Sequence, residues 1–328
     1  MTNYRNVRYK IPTLNLDGTV EASPAEGEIW YDSGKFYLAT DQSFSGVWSS
    51  GGNLSTARYG LGGAGTQSAG LSFAGADPDD TTVITEEYNG TAWSSGGNIG
   101  VACYAVAGAG TQTAGLLIGG RDGTPARNIT QEYDGSSWSS GGNLATGRWG
   151  LAGAGIQTAA WCAGGWPSGS NATEEYDGSS WSSGGNLATS RYYLAGCGTL
   201  SAGLSFGGLL TDHSTFSNVT EEYDGSSWSS GGNLGTARNY LAGAGTQSAG
   251  LSMGGNTGSN SNVTEEYDGS AWSASANLAT ARHFLAGAGT TSAGLSIGGY
   301  VSTASAITEE YGPDIGSYAE LFHAIGAL

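Results

Sequence analysis

Residues 58–99 read RYGLGGAGTQSAGLSFAGADPDDTTVITEEYNGTAWSSGGNI, and this stretch contains every landmark that decides the fold. Leu71 and Phe73 alternate with Gly70 and Ser72, a period of two and not the helical period of about 3.6. Four short strands are predicted: residues 59–66 (YGLGGAGT), residues 68–75 (SAGLSFAG), residues 83–88 (VITEEY) and a fourth around Trp93. Asn89-Gly90 marks a tight turn between the third and the fourth. Strands one and two are built of Gly, Ala and Ser with a few large apolar groups, whereas strands three and four carry Tyr88 and Trp93.

The same landmarks recur along the chain. The Trp of a W-S-S-G-G-N-[LI] string stands at Trp48, Trp93, Trp138, Trp181, Trp228 and Trp272, at spacings of 45, 45, 43, 47 and 44. An E-E-Y string, Q-E-Y in one copy, ends at Tyr88, Tyr133, Tyr176, Tyr223, Tyr267 and Tyr311, and a [GA]-G doublet ends at Gly75, Gly120, Gly165, Gly208, Gly255 and Gly299. Four antiparallel strands in about 45 residues is the size of a β-propeller blade. Blades converge on an axis, so small residues suit the inner strands and large ones the wider outer gap. The expected fold is all-β, a six-bladed propeller of four-stranded antiparallel blades. Trp48 lacks preceding strands and Tyr311 lacks a following Trp, so the strand around Trp48 is expected to complete the last blade. The competing arrangement is a seventh, partial blade from residues 28–40 (EIWYDSGKFYLAT).

Composition excludes several classes. The 328 residues include 59 Gly but only six Pro with no strict triplet period, which excludes collagen and Pro-rich linkers. Ten Trp and 17 Tyr, six of each at the spacing of the repeat, argue against disorder. A net charge of -17 repels a phosphate backbone, so no nucleic-acid partner is expected. No apolar window of about 18 residues exists, so no membrane insertion is expected, and residues 1–12 lack the apolar core of a secretory signal. Cys103, Cys162 and Cys197 fall at non-equivalent repeat positions and read as buried thiols, not as a disulfide framework or metal site.

The doublet Gly207-Gly208, then Tyr223, then Trp228, then Arg238 before the next first strand resembles the kelch repeat. The resemblance spans residues 48–311, with the doublet altered to Ala74-Gly75 in the first copy. It implies a propeller; it does not imply one function, because kelch propellers include enzymes and binding scaffolds.

Length varies in one place only. The loops between strands two and three, residues 76–84, 121–129, 166–172, 209–219, 256–263 and 300–307, contain 9, 9, 7, 11, 8 and 8 residues. The first five, added to a constant 36, reproduce every Trp spacing. A constant scaffold with one variable loop set is how a repeat protein presents a binding face, and the kelch resemblance implies partner binding at this loop class. The candidate contact residues are Asp77, Asp79, Asp80, Arg121, Asp122, Arg127, Trp166, Asp212, His213, Phe216 and Tyr300, with the aromatic and apolar groups foremost.

The E-E-Y-D motif holds 15 of the 28 acids, and a structural use is expected in preference to a ring of cation sites. Five units carry an Arg before strand one; the second has Cys103 there, and it alone has Gln131 in place of the first Glu. Loss of the cation coincides with loss of the anion. The expected partly buried, bidentate pairs are Arg58 with Glu86, Arg148 with Glu174, Arg191 with Glu221, Arg238 with Glu265 and Arg282 with Glu309.

No catalytic residue, metal or cofactor is expected: His213, His283 and His323 lie in unrelated contexts, and no nucleophile-elbow, P-loop or zincin string occurs. Y-D-G-S-S-W is similar to a sialidase Asp box, but its Asp and Gly are adjacent here. Residues 27–48 (GEIWYDSGKFYLATDQSFSGVW) resemble a segment of bacteriophage tail-fibre and other virion proteins. The expected organisation is an assembly arm at residues 1–26, a propeller at 27–311 with a hairpin-like lead-in at 27–47, and a tail at 312–328 with Leu321, Ile325 and Leu328 at helical spacing. That resemblance implies a non-catalytic virion protein, a tail fibre or capsid-attached propeller in a symmetric assembly. Its arm and tail would contact other virion proteins, and its loops a host-surface glycan or protein. The alternatives are a cellular kelch-type interaction scaffold and, third, a carbohydrate-active or oxidase-type propeller enzyme.

Overall fold

The computed structural model describes residues 29–32, 35–38 and 46–313, apart from residues 79, 124, 168 and 169. The arm at residues 1–26 and the tail beyond residue 313 lie outside the described residues. The chain divides into two compact units, Met1–Phe44 and Ser45–Leu328. In the first, Ile29–Asp32 and Lys35–Leu38 form an antiparallel hairpin that is a complete two-stranded sheet among the described residues, so no seventh blade is built.

The second unit holds six four-stranded antiparallel sheets, with spatial order following chain order. The first blade runs Gly62–Thr66, Ala69–Phe73, Thr85–Tyr88 and Trp93–Ser95. The sixth takes Ala286–Thr290, Ala293–Ile297 and Thr308–Pro313 from the end of the propeller and Gly46–Ser50 from its beginning, with Tyr311 opposite Trp48. Hydrogen bonds, not covalent continuity, therefore close the circle. Inner strands meet almost backbone to backbone: a Cβ on Gly63 would lie 2.9 Å from the Gly287 carbonyl oxygen of the neighbouring blade.

Alternation along T-E-E-Y stitches the blades together. Thr85 and Glu87 face the second blade, where Thr85 Oγ1 accepts from Trp138 Nε1 at 2.9 Å and Glu87 Oε1 accepts from Tyr133 Oη at 2.6 Å. Glu86 and Tyr88 face the other way, and Tyr88 donates to Glu310 of the sixth blade at 2.5 Å. Equivalent Tyr–Glu bonds span every blade junction. Burial, and next the bond to a carboxylate, pushes Tyr88, Tyr133, Tyr176, Tyr223 and Tyr267 up to about 12.

The arginines before strand one are at most 1% exposed. Their guanidinium groups lie 3.0 Å from Glu86 for Arg58, 2.7 Å from Glu174 for Arg148, 2.9 Å from Glu221 for Arg191 and 2.5 Å from Glu265 for Arg238; Arg282 pairs with Glu309. The pairs differ in form from the expected bidentate, partly buried bridge, because both partners have backbone groups to satisfy. Arg191 Nη1 donates to the Gly207 and Val219 carbonyls, both at 2.7 Å, and only Nη2 reaches the carboxylate, at 2.9 Å, with Nε unpaired. Glu221 Oε2 in turn accepts from the Ala188 N–H at 2.6 Å. In the second blade Gln131 Oε1 keeps the matching bond, from Gly100 N–H at 2.9 Å. Leu117, fully buried, stands where the other blades have Ser or Cys, beside Cys103. Arg, Ser and Glu are thus exchanged together for Cys, Leu and Gln. All three cysteines are buried free thiols, pushed up to about 12 by burial.

A candidate binding face at the axis

The loops between strands two and three and the crossings from one blade to the next all lie at one end of the propeller. Each crossing enters strand one through two residues after the Arg position: Tyr59-Gly60, Tyr104-Ala105, Trp149-Gly150, Tyr192-Tyr193, Asn239-Tyr240 and His283-Phe284. Most of these were expected inside the first strand. Instead the second residue of every pair has positive φ, from +53° at Tyr240 to +63° at Gly150, which turns the chain before the strand begins.

That turn creates a closed ring. The N–H of Ala105 donates to the Gly60 carbonyl at 2.7 Å, Gly150 to Ala105, Tyr193 to Gly150, Tyr240 to Tyr193, Phe284 to Tyr240, and Gly60 back to Phe284 at 2.8 Å. A second circle lies outside it, in which the last residue of each doublet donates to the Arg or Cys carbonyl of the next unit, as Gly75 does to Cys103 at 2.9 Å. Six non-polar side chains, Leu61, Val106, Leu151, Leu194, Leu241 and Leu285, line the axial cavity of about 70 Å³ at the inner ring.

Around the axis the inner ring carries small residues in three consecutive blades and Tyr193, Tyr240 and Phe284 in the other three. The large rings stack on one another, with centroids 3.8 Å apart for Tyr193 and Tyr240 and 4.0 Å for Tyr240 and Phe284. Tyr193 also covers Gly150, where a Cβ would meet its ring at 2.8 Å. The three large rings thus sit together on one side of the axial cavity, opposite the three small residues.

The first residue of each pair bridges to the first loop residue: Tyr59 to Ala76, Tyr104 to Arg121, Trp149 to Trp166, Asn239 to Asn256 and His283 to Tyr300; Tyr192 pairs with Leu209. This pairing carries the expected loop residues to the centre. Trp166 lies 5.5 Å from the Tyr192 ring and 4.7 Å from His213, whose Nδ1 is 2.8 Å from Tyr192 Oη. Phe216 packs in the same cluster, and Tyr300 meets Tyr59 and His283 at 5.4 and 5.3 Å. Arg121 stacks on Tyr104 and Trp149, 4.8 and 4.2 Å from their centroids.

The other charged candidates make local contacts. Asp122 pairs with Arg127, and Asp212 caps its own loop, accepting from the Ser214 and Thr215 N–H groups, both at 2.9 Å, which with the Thr215 hydroxyl hold its carboxyl near 2. Asp77 and Asp80, with Asp122, Tyr59 and Tyr104, line an open pocket of about 280 Å³, just below the usual range of small-molecule sites. Asp79 lies outside the described residues. Tyr59, Tyr104, Trp149, Tyr192, Tyr193, Tyr240, His283 and Phe284 were not among the expected contacts. Their signal was variation from copy to copy between an Arg and a Leu that scarcely change. No group of three or more His, Cys, Asp or Glu among the described residues is placed to hold a metal. No model of a known protein family matches the chain, and no curated protein matches it.

Proposed function

We propose that the chain is a non-catalytic recognition protein of a virus particle, and that its axial loop face binds a glycan or protein on the host surface. One observation carries the reading. Loop length, loop sequence and the two residues after each Arg all vary, and in the folded chain these variable positions converge on one aromatic-rich face over a repeated scaffold. Clustered Tyr and Trp provide large rigid contact area at low conformational cost, as binding surfaces require. The segment resembling tail-fibre proteins supports assignment to a virion, and the kelch-like repeat supports a scaffold that presents loops.

The test is a glycan and host-surface protein array probed with the whole chain and with a variant in which residues 209–219 are exchanged for residues 256–263. Loss or change of the bound set upon exchange supports the face; an unchanged set refutes it. Recovery of the chain at a fixed symmetric copy number in purified particles supports the virion assignment, whereas a free monomer held by a cytosolic host protein refutes it in favour of a cellular scaffold.

A further inference from the structure

Among the described residues the propeller has seven arginines and no lysine. Five are buried against Glu, and Arg127 pairs with Asp122. Arg121 has no carboxylate within ion-pair distance among the described residues. Its guanidinium is instead clamped between the Tyr104 and Trp149 rings at the rim of the axial basin, and it remains partly exposed. Stacking against two rings holds the planar fork in place, which pre-organises it for a bidentate anion. In a chain of net charge -17, an arginine held against an aromatic surface with no carboxylate partner among the described residues is suited to an acceptor from elsewhere.

We infer that Arg121 is the carboxylate-binding residue of a subsite for an acidic monosaccharide unit, a uronic-acid-type ring within a surface glycan. This rests on the loop face being the binding face. Tyr104 is the shared wall: one side of the subsite is Arg121, and the other is the pocket lined by Tyr59, Asp80 and Asp122. A uronic ring has its carboxylate at one end and hydroxyl groups at the other. The hydroxyls donate to Asp80 and Asp122 while the apolar ring face lies on tyrosine. An acidic peptide could supply a carboxylate, but it has no hydroxyl-rich end for the pocket carboxylates. A polyanion bearing a charge on every unit is opposed by the surrounding acidic surface.

The whole chain is titrated with methyl β-glucuronide, its methyl ester, methyl β-glucoside and a short Glu-rich peptide, followed by tryptophan fluorescence and saturation-transfer NMR. The glucuronide is expected to bind at least about tenfold more tightly than its ester or the glucoside, the scale of one charge-assisted pair. Arg121→Leu abolishes that preference and Arg121→Lys restores part of it, with thermal midpoints recorded so that loss of fold is not read as loss of binding. Equal binding of glucuronide and glucoside, or a preference that survives Arg121→Leu, overturns the inference while leaving the binding face intact. Preference for the peptide, or no binding of the glucuronide, also overturns it. Whether the binding face itself then stands is decided independently by the loop exchange.

Discussion

The second blade is a natural substitution experiment, and the fourth is where to repeat it. Glu221→Gln removes the counter-charge of Arg191, which is fully buried, while leaving its two carbonyl bonds intact. An uncompensated buried charge costs about 3–5 kcal/mol. At about 2 °C per kcal/mol for a domain of this size, the melting midpoint is expected to fall by about 6–10 °C. The triple variant Arg191→Cys, Ser205→Leu, Glu221→Gln rebuilds the chemistry of Cys103, Leu117 and Gln131. Gln takes over the Ala188 N–H, Leu fills the guanidinium's space, and Ser205 Oγ makes no hydrogen bond that the leucine would forfeit. The Gly207 carbonyl loses its donor, at about 1–3 kcal/mol. Calorimetry should therefore place the triple variant about 2–6 °C below the parent and above Glu221→Gln. A triple variant less stable than the single one, or a harmless Glu221→Gln, would refute the account of the pair as a charge-compensated unit replaceable only as a whole.

Two further outcomes follow from the blade junctions. Five tyrosines are raised to about 12 from an ordinary value near 10, so the neutral phenol is favoured in the fold. That stability is fully present below pH 10 and lost as pH rises towards 12; ultraviolet titration should show phenolate appearing late, and ionisation of these five near 10 in the folded chain would contradict it. Trp48 stacks on Tyr311 at 4.9 Å and donates to Thr264 at 3.0 Å, so Trp48→Ala should cost about 3–5 kcal/mol and raise amide exchange across Thr308–Pro313 before the other blades. Uniform exchange in all six blades would show that the closing strand is not the weak seam.

The blades and their closure were legible because each rests on a repeated, position-specific demand: a period of two, a turn at Asn89-Gly90, a Trp48 and a Tyr311 each missing its complement. The link between Arg and Glu was legible through one joint exception. The third member of that exception was not, since Leu117 in place of Ser looks like drift until burial places it beside Cys103. The role of the second glutamate of the motif was not legible, because its partner is a tyrosine of the next blade. The axial basin was hidden for a different reason. Positive φ at Tyr193, Tyr240 and Phe284 is foreign to bulky residues, so their run into Leu-Ala-Gly read as strand.

The inner ring of hydrogen bonds also acts as a counting device. Blades nearly identical in sequence could be added or deleted by duplication at small cost to any one sheet, yet each link of the ring runs from one blade to the preceding one, and the last, from Gly60 to Phe284, requires a whole turn of the circle. The space inside it holds three large and three small residues. A seventh repeat would widen the circle and leave the plug loose, and a fifth-only version would crowd Tyr193 against Phe284, already 5.0 Å apart. Blade number is thereby set at the axis, by residues that the repeat does not hold constant.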